Sequence, residues 1–371
     1  MLGNCSIHII MKASERNYGI DLLRIVAMFF VVLLHQLYLS GGLSFTENMS
    51  VYRAYWFLEI IACGAVNMFA IISGYVSYRE EEKKRKWSSL LSIWFQAIFY
   101  GAAITLAFKL INPETVSWYD VIKSAFPVLT DHYWYLSAYI GLYIIMPIID
   151  AAVRAMSREA LLNTMAGIII FFSFIDVFTG ADFNTLAGYS VIWLVILYFI
   201  GATIKKCRLE DKISTEKCIL LTVGLLLVTW VVKISNIDLS IGNSLIQFNS
   251  NTLVSYCSPT ILIVSMLFVI VFSKLRISEK AGKLISLLAS GAFAAYLINL
   301  NCCVWAYILP WQQPYMYEKS AVWLVTTSVL FCVLFLTVSI AIDIVRTKLF
   351  ELTRINKLIT LPDRMLEHAK N

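Results

Sequence analysis

Apolar runs of about twenty residues, separated by short polar stretches, recur along the chain from Ile20 to Val345. Wound as a helix at about 1.5 Å per residue, such a run crosses a hydrocarbon core of about 30 Å. The pattern predicts ten helices, near 20–39, 52–78, 87–111, 133–153, 160–178, 188–204, 218–234, 252–273, 284–306 and 320–345. The expected fold class is an all-α integral membrane protein with about ten transmembrane helices. An even number puts both termini on one side. No soluble domain or internal repeat interrupts the helices, so residues 17–346 read as one membrane domain between an N-terminal segment, 1–16, and a tail, 347–371.

Composition agrees with this class: 59% of residues are hydrophobic, 15% are charged, and the mean hydropathy is +0.75. Of the 30 Lys and Arg residues, 24 fall in the N-terminal segment, in 79–86, 154–158, 205–217 and 274–283, and from Arg346 onward. The alternate loops hold only Arg53, Lys123, Lys233 and Lys319. Basic residues collect on the cytoplasmic side, so both termini are expected in the cytoplasm and the chain is expected as a multi-pass protein of the plasma membrane. The net charge of +6 is mainly this topology signal and needs no nucleic-acid partner to explain it. The first ten residues lack a cleavage pattern and do not read as a signal peptide. The eight cysteines are scattered, with Cys302-Cys303 the one close pair, and read neither as a disulfide framework nor as a metal site.

The chemistry concentrates on the first helix, Asn17 to Gln36, an apolar run that nevertheless carries Asp21, Arg24 and His35. At about 100° per residue, Arg24 and His35 differ by roughly 20° around the axis and Asp21 lies about 60° behind Arg24. All three therefore share one face, and an ionisable face inside lipid marks a functional site unless it merely snorkels. Asp21 and Arg24, near the inner surface, fit either reading. His35, about 16 Å further along the axis, lies too deep to snorkel and reads as catalytic. Glu59, on the returning second helix, is expected at the depth of His35, where its carboxylate would fix the imidazole tautomer and stabilise an imidazolium.

The second helix continues Gly64-Ala-Val-Asn-Met-Phe-Ala-Ile-Ile-Ser-Gly-Tyr75. Together with Asp21, Arg24 and His35, this segment resembles the membrane acyltransferase family often called acyltransferase 3, whose members acylate sugars and cell-envelope polymers. The likeness extends through Gln96 and Tyr100, the aromatic stretch His132-Tyr-Trp-Tyr-Leu-Ser-Ala-Tyr139 with Tyr143 and Pro147, Tyr198-Phe-Ile-Gly201, Tyr256-Cys-Ser-Pro259 and Ser290 to Asn301. It covers about residues 17–305. Asn299 departs from the pattern, standing where the family commonly has a histidine.

The resemblance implies an O-acyltransferase, most simply an O-acetyltransferase, acting on a surface polysaccharide or its lipid-linked precursor. Acetyl-CoA or another acyl-CoA would be a co-substrate, with no permanently bound cofactor and no metal. His35, Arg24, Asp21 and Glu59 are the expected catalytic group, with direct transfer and an acyl-histidine intermediate both open. Asn67, Ser73, Trp134, Tyr139, Tyr296 and Asn299 are the expected substrate contacts, Trp134 because a flat apolar ring suits a pyranose face. Arg79, Lys83 and Arg85 offer positive charge to the phosphates of a coenzyme A thioester from the cytoplasm. Membrane lipid, acyl-CoA and a sugar acceptor are thus the expected partners. Two readings from other classes use the same residues: a transporter of a lipid-linked sugar or small acid, with the charged groups as a relay, and a non-catalytic sensor.

The charge asymmetry generates a direct expectation. Single cysteines placed at Lys206 and Lys280 label only from the cytoplasm, and cysteines at Lys123 and Lys319 only from outside. Labelling of the Lys123 and Lys280 variants from the same side would overturn the helix count.

Overall fold

A computed structural model describes residues 16–82, 85–128, 133–239 and 248–368. Each of the ten predicted segments is helical. α1 spans Tyr18–Ser40, α2 Met49–Cys63, α3 Ala65–Ser77, α4 Trp87–Ile111, α5 Trp118–Ser124 and α6 Trp134–Ala155. α7, Arg158–Ile169, runs through a π-helical turn into α8, Asp176–Thr179. α9 spans Val191–Lys206, α10 Leu209–Lys212, α11 Thr215–Ile234, α12 Pro259–Ser273, α13 Glu279–Asn299, α14 Cys302–Tyr307, α15 Ala321–Leu352 and α16 Ile355–His368. The chain is an all-α membrane protein. Eight helical spans among the described residues are long and apolar enough to cross a membrane. α9 and α12, with 16 and 15 residues, are shorter. Both are mostly buried inside the bundle.

Local chemistry sets the ends. Asn17 caps α1 by accepting from the Ile20 N–H at 3.1 Å, and Gly41, at φ +81°, ends it in the left-handed region that glycine enters freely. Three boundaries depart from the apolar pattern. The predicted second helix breaks at Gly64, whose carbonyl accepts from the Met68 N–H of α3 at 2.9 Å and also from the Ser265 hydroxyl of α12 at 3.2 Å. The eighth helix begins at Pro259 rather than near 252, because Ser258 caps it and a proline suits the first turn. The ninth ends at Asn299, and Asn301 starts α14 by accepting from the Cys303 N–H at 3.0 Å. α4 has its first turn capped from a distance: Asp363 of α16 accepts from Trp87 N–H at 2.8 Å and Ser88 N–H at 3.2 Å.

α1 is the central element, packed against α2, α3, α12, α13 and α15. Beside it, α3 and α9 lie backbone to backbone. A Cβ on Gly74 would sit 2.0 Å from the Tyr198 carbonyl oxygen, and one on Gly201 would sit 2.0 Å from that of Ile71. The glycines of Ser73-Gly74-Tyr75 and Tyr198-Phe-Ile-Gly201 therefore serve one close helix crossing.

Gly201→Val should push α3 and α9 apart, at a cost of about 1–3 kcal/mol or more, because the obstacle is backbone that cannot rotate away. Gly167→Val should be tolerated, since a Cβ there meets nothing within 4 Å. Thermal unfolding of the two variants in detergent tests this packing: equal melting temperatures would refute it.

Candidate active site

His35 sits in the C-terminal half of α1, the half expected to lie toward the outer face, with Gln36 immediately after it turned about 100° away. Gln36 is fully buried and donates to Gln312 Oε1 at 2.6 Å. The same oxygen accepts from Tyr55 Oη and from Ser328 Oγ, each at 2.9 Å, while Gln312 Nε2 donates to Leu324 O at 2.9 Å and to Thr327 Oγ1 at 2.8 Å. This polar knot ties α1 to α2, α15 and the 3₁₀ turn Leu309–Tyr315. It thereby fixes the rotation of α1 and the direction in which His35 points.

His35 points into an outer cavity of about 370 Å³. Its Nδ1 is hydrogen-bonded to Oδ1 of Asn299, at the end of α13. An amide oxygen only accepts, so Nδ1 carries the proton and Nε2 is left as a base. Trp305 packs against the imidazole, centroids 5.1 Å apart at 66°. Glu59 lines the same cavity but is not the partner of Nδ1: Asn299 occupies that position, and Glu59 Oε2 has no partner among the described residues. The helix-hairpin pairing expected from the sequence is therefore replaced by a pairing between α1 and α13. Trp134 and Tyr296 also line this cavity, with Tyr189 and Tyr256 contributed by the loops before α9 and α12.

Arg24 and Asp21 lie below. Asp21, 2% exposed, accepts from Arg24 at 2.7 Å and from Arg16 at 2.6 Å. Its carboxylate thus holds Arg24 rather than reaching His35. Arg24 lines an inner cavity of about 220 Å³ together with Ser73 and Tyr139. The Ser73 hydroxyl donates to Phe69 O, one turn back, at 2.8 Å. Inner and outer cavities share Met28, Phe69, Tyr135 and Phe293 as walls. A third cavity, of about 520 Å³, opens among Arg85, Lys86, Tyr143, Asp150, Arg154 and Asp363. Tyr135, Tyr139 and Tyr143, spaced by four on α6, form a ladder with successive centroids 6.4 Å apart, and descend through the three cavities in order.

Several expected contacts lie elsewhere. Asn67 is fully buried and lines none of these cavities: its Nδ2 donates to Tyr256 O at 2.8 Å and its Oδ1 accepts from Trp193 Nε1 at 3.0 Å. It clips two elements together, because a side chain with one donor end and one acceptor end can satisfy both. Arg85 reaches the third cavity, yet it is already paired with Asp150 and bonded to Tyr198 Oη, both at 2.6 Å. Arg79 is exposed beyond α3 and lines none of the three cavities. Lys83 lies outside the described residues.

Tyr135, Tyr189, Tyr256, Phe293 and Trp305 were not among the candidates read from the sequence. Only the tyrosine ladder carried a signal there, in its spacing of four. Among the described residues no group of His, Cys, Asp and Glu is arranged to hold a metal ion.

The arrangement offers a base with a fixed tautomer, a free carboxylate, and an aromatic passage to a basic inner end. The family model described as an acyltransferase domain, acyltransferase 3, matches residues 17–346. Comparison with curated proteins and with solved structures gave no significant match.

The position of Asn67 has a measurable consequence. Asn67→Leu strands a buried indole N–H and a buried carbonyl, each worth about 1–3 kcal/mol, so the melting temperature should fall. The surviving folded protein should keep its affinity for substrate. A raised KM with unchanged stability would return Asn67 to the substrate contacts.

Proposed function

The chain belongs to the acyltransferase 3 family, and on that premise we propose that it is a plasma-membrane O-acyltransferase moving a short acyl group, acetyl in the simplest case, from acyl-CoA to a hydroxyl of a cell-surface polysaccharide or its lipid-linked precursor. Membrane acyltransferase activity follows from family membership. The donor, the acceptor and the residue roles are the proposal. The observation that carries it is the state of His35, whose Nδ1 is tied to Asn299 while the ring lines a cavity continuous in its walls with a passage toward the inner face.

In this reading the acceptor hydroxyl sits in the outer cavity and gives its proton to His35 Nε2 as its oxygen attacks the thioester carbonyl. The tetrahedral intermediate collapses with loss of the C–S bond, and the proton returns from Nε2 to the departing sulfur. The products are an ester and a free thiol. Asn299 is a positioning residue that holds the tautomer in which Nε2 is the base. Arg24, held by Asp21, supplies positive charge to the anionic part of the donor from the inner side, and the acyl arm extends past Phe69, Tyr135 and Phe293. Trp134 and Tyr296 contact the acceptor. Ser73 and Tyr139 line the path of the donor.

His35→Ala should leave insertion and abundance nearly unchanged, because a small apolar side chain suits this helix, and should lower transfer by at least about a hundredfold. Asn299→Ala should lower kcat by more than about tenfold with little change in KM, since it releases the tautomer but not the binding surfaces. The readout is label moved from acetyl-CoA to glycan per folded protein in vesicles. Activity of His35→Ala within a few-fold of the parent would defeat the catalytic assignment.

A further inference from the structure

Glu59 is left without a role by this mechanism. The Nδ1 position of His35 is taken by Asn299, and Glu59 Oε2 is buried with no partner among the described residues. Among the described residues no Lys or Arg lines the outer cavity to neutralise it. An ionised lone carboxylate among apolar walls costs several kcal/mol, a cost that a cationic ligand offsets as it enters.

The walls carry the same sign. Trp134 packs on Tyr189 with centroids 4.6 Å apart, and Tyr189 packs on Tyr256 at 5.2 Å, which makes a continuous aromatic surface beside Glu59. Tyr38 and Trp305 add further rings to the lining. Aromatic faces are negative and attract cations, most strongly where water is excluded. A carboxylate inside an aromatic box is therefore a site of negative potential, and the basic side chain that lines the passage below, Arg24, belongs to the inner cavity.

We propose that the acceptor binds in the outer cavity through a cationic nitrogen, an ammonium or quaternary ammonium group seated between the Glu59 carboxylate and the faces of Trp134, Tyr189 and Tyr256. This rests on the reading of the outer cavity as the acceptor site. Acceptors bearing carboxylate or phosphate near the reacting hydroxyl are repelled by the same field, so the cavity selects by charge as well as by shape. The phosphates of the donor are excluded from it for the same reason and stay on the side of Arg24.

The test is binding, which does not require turnover. The purified full-length protein in detergent is titrated by calorimetry with choline and with 3,3-dimethylbutan-1-ol, which has the same shape without the charge, and with D-glucosamine against D-glucose. The cationic member of each pair should bind at least about tenfold more tightly, in the parent and in His35→Ala alike. Glu59→Gln should bring each pair within about twofold. Should Glu59→Gln fail to fold, Trp134→Leu must weaken choline more than it weakens the alcohol. Equal binding of the charged and neutral members, no binding of either cation, or discrimination that survives in both variants overturns the proposal. Loss of the acyl-transfer reading would show separately, as transfer retained in His35→Ala, and leaves this comparison unaffected.

Discussion

A helix that takes an acid, an arginine and an imidazole into lipid is sustainable only when every such group faces protein, and this requirement organises the whole bundle. α1 is enclosed by α2, α3, α12, α13 and α15. The enclosure works differently at its two ends. At the inner end Asp21 is clamped between Arg16 and Arg24, so one carboxylate answers two guanidinium groups. At the outer end the buried Gln36 amide donates to Gln312 Oε1, which also accepts from the Tyr55 and Ser328 hydroxyls, and this fixes α1 so that His35, one residue earlier, points at a cavity. The polar groups of α1 thus divide into those consumed by the structure and those presented to a ligand.

Enclosing one helix by five demands that some neighbours come very close. The reciprocal contact of Gly74 and Gly201 lets α3 and α9 touch at the level of their backbones. In lipid there is no hydrophobic drive between helices, so van der Waals contact of this kind is what holds them. The short length of α9 and α12 follows from their place. Helices lined by protein on most sides need not match the hydrocarbon thickness, and the loops that precede them can dip inward while remaining satisfied by neighbours. Those loops deliver Tyr189 and Tyr256 to the outer cavity, so the brevity of two helices builds part of the candidate acceptor wall.

The helices were legible because a run of twenty apolar residues has few other meanings. Their breaks were less so. Gly64 interrupts nothing in the hydropathy pattern, because the apolar run continues unbroken on both sides of it. The start of α12 was written in Ser258-Pro259, a cap followed by a residue without an N–H, but the apolar run upstream masks it. At the site, periodicity places Asp21, Arg24 and His35 on one face; two cavities bear Arg24 and His35 in depth order, while Asp21 lines neither and is held by Arg24 and Arg16. Periodicity could not supply the partner of His35. Asn299 lies 264 residues on, and the depth argument that favoured Glu59 holds for any group at that level. Asn67 shows the converse: a polar residue in a motif reads as a ligand contact, whereas in the fold its two ends bond Trp193 and Tyr256.

The three cavities differ in charge along the membrane normal, and that difference bears on how a donor and an acceptor from opposite sides could meet. The inner cavity has Arg24, whereas the third cavity sets Arg85, Lys86 and Arg154 against Glu82, Asp150, Asp363 and Glu367 and so carries no basic excess among the described residues. The outer cavity has Glu59 and aromatic faces. Between them the passage is walled by Met28, Phe69, Tyr135 and Phe293, which offer no fixed charge. A neutral flexible arm can lie along such a passage at little desolvation cost, whereas a phosphate cannot enter it and an ammonium gains nothing by leaving the outer end. On the proposed reading such a field sorts donor and acceptor to opposite ends while letting only their reacting groups approach His35. The same residues would then keep the barrier to ions that a membrane needs and bring a thioester and a hydroxyl together.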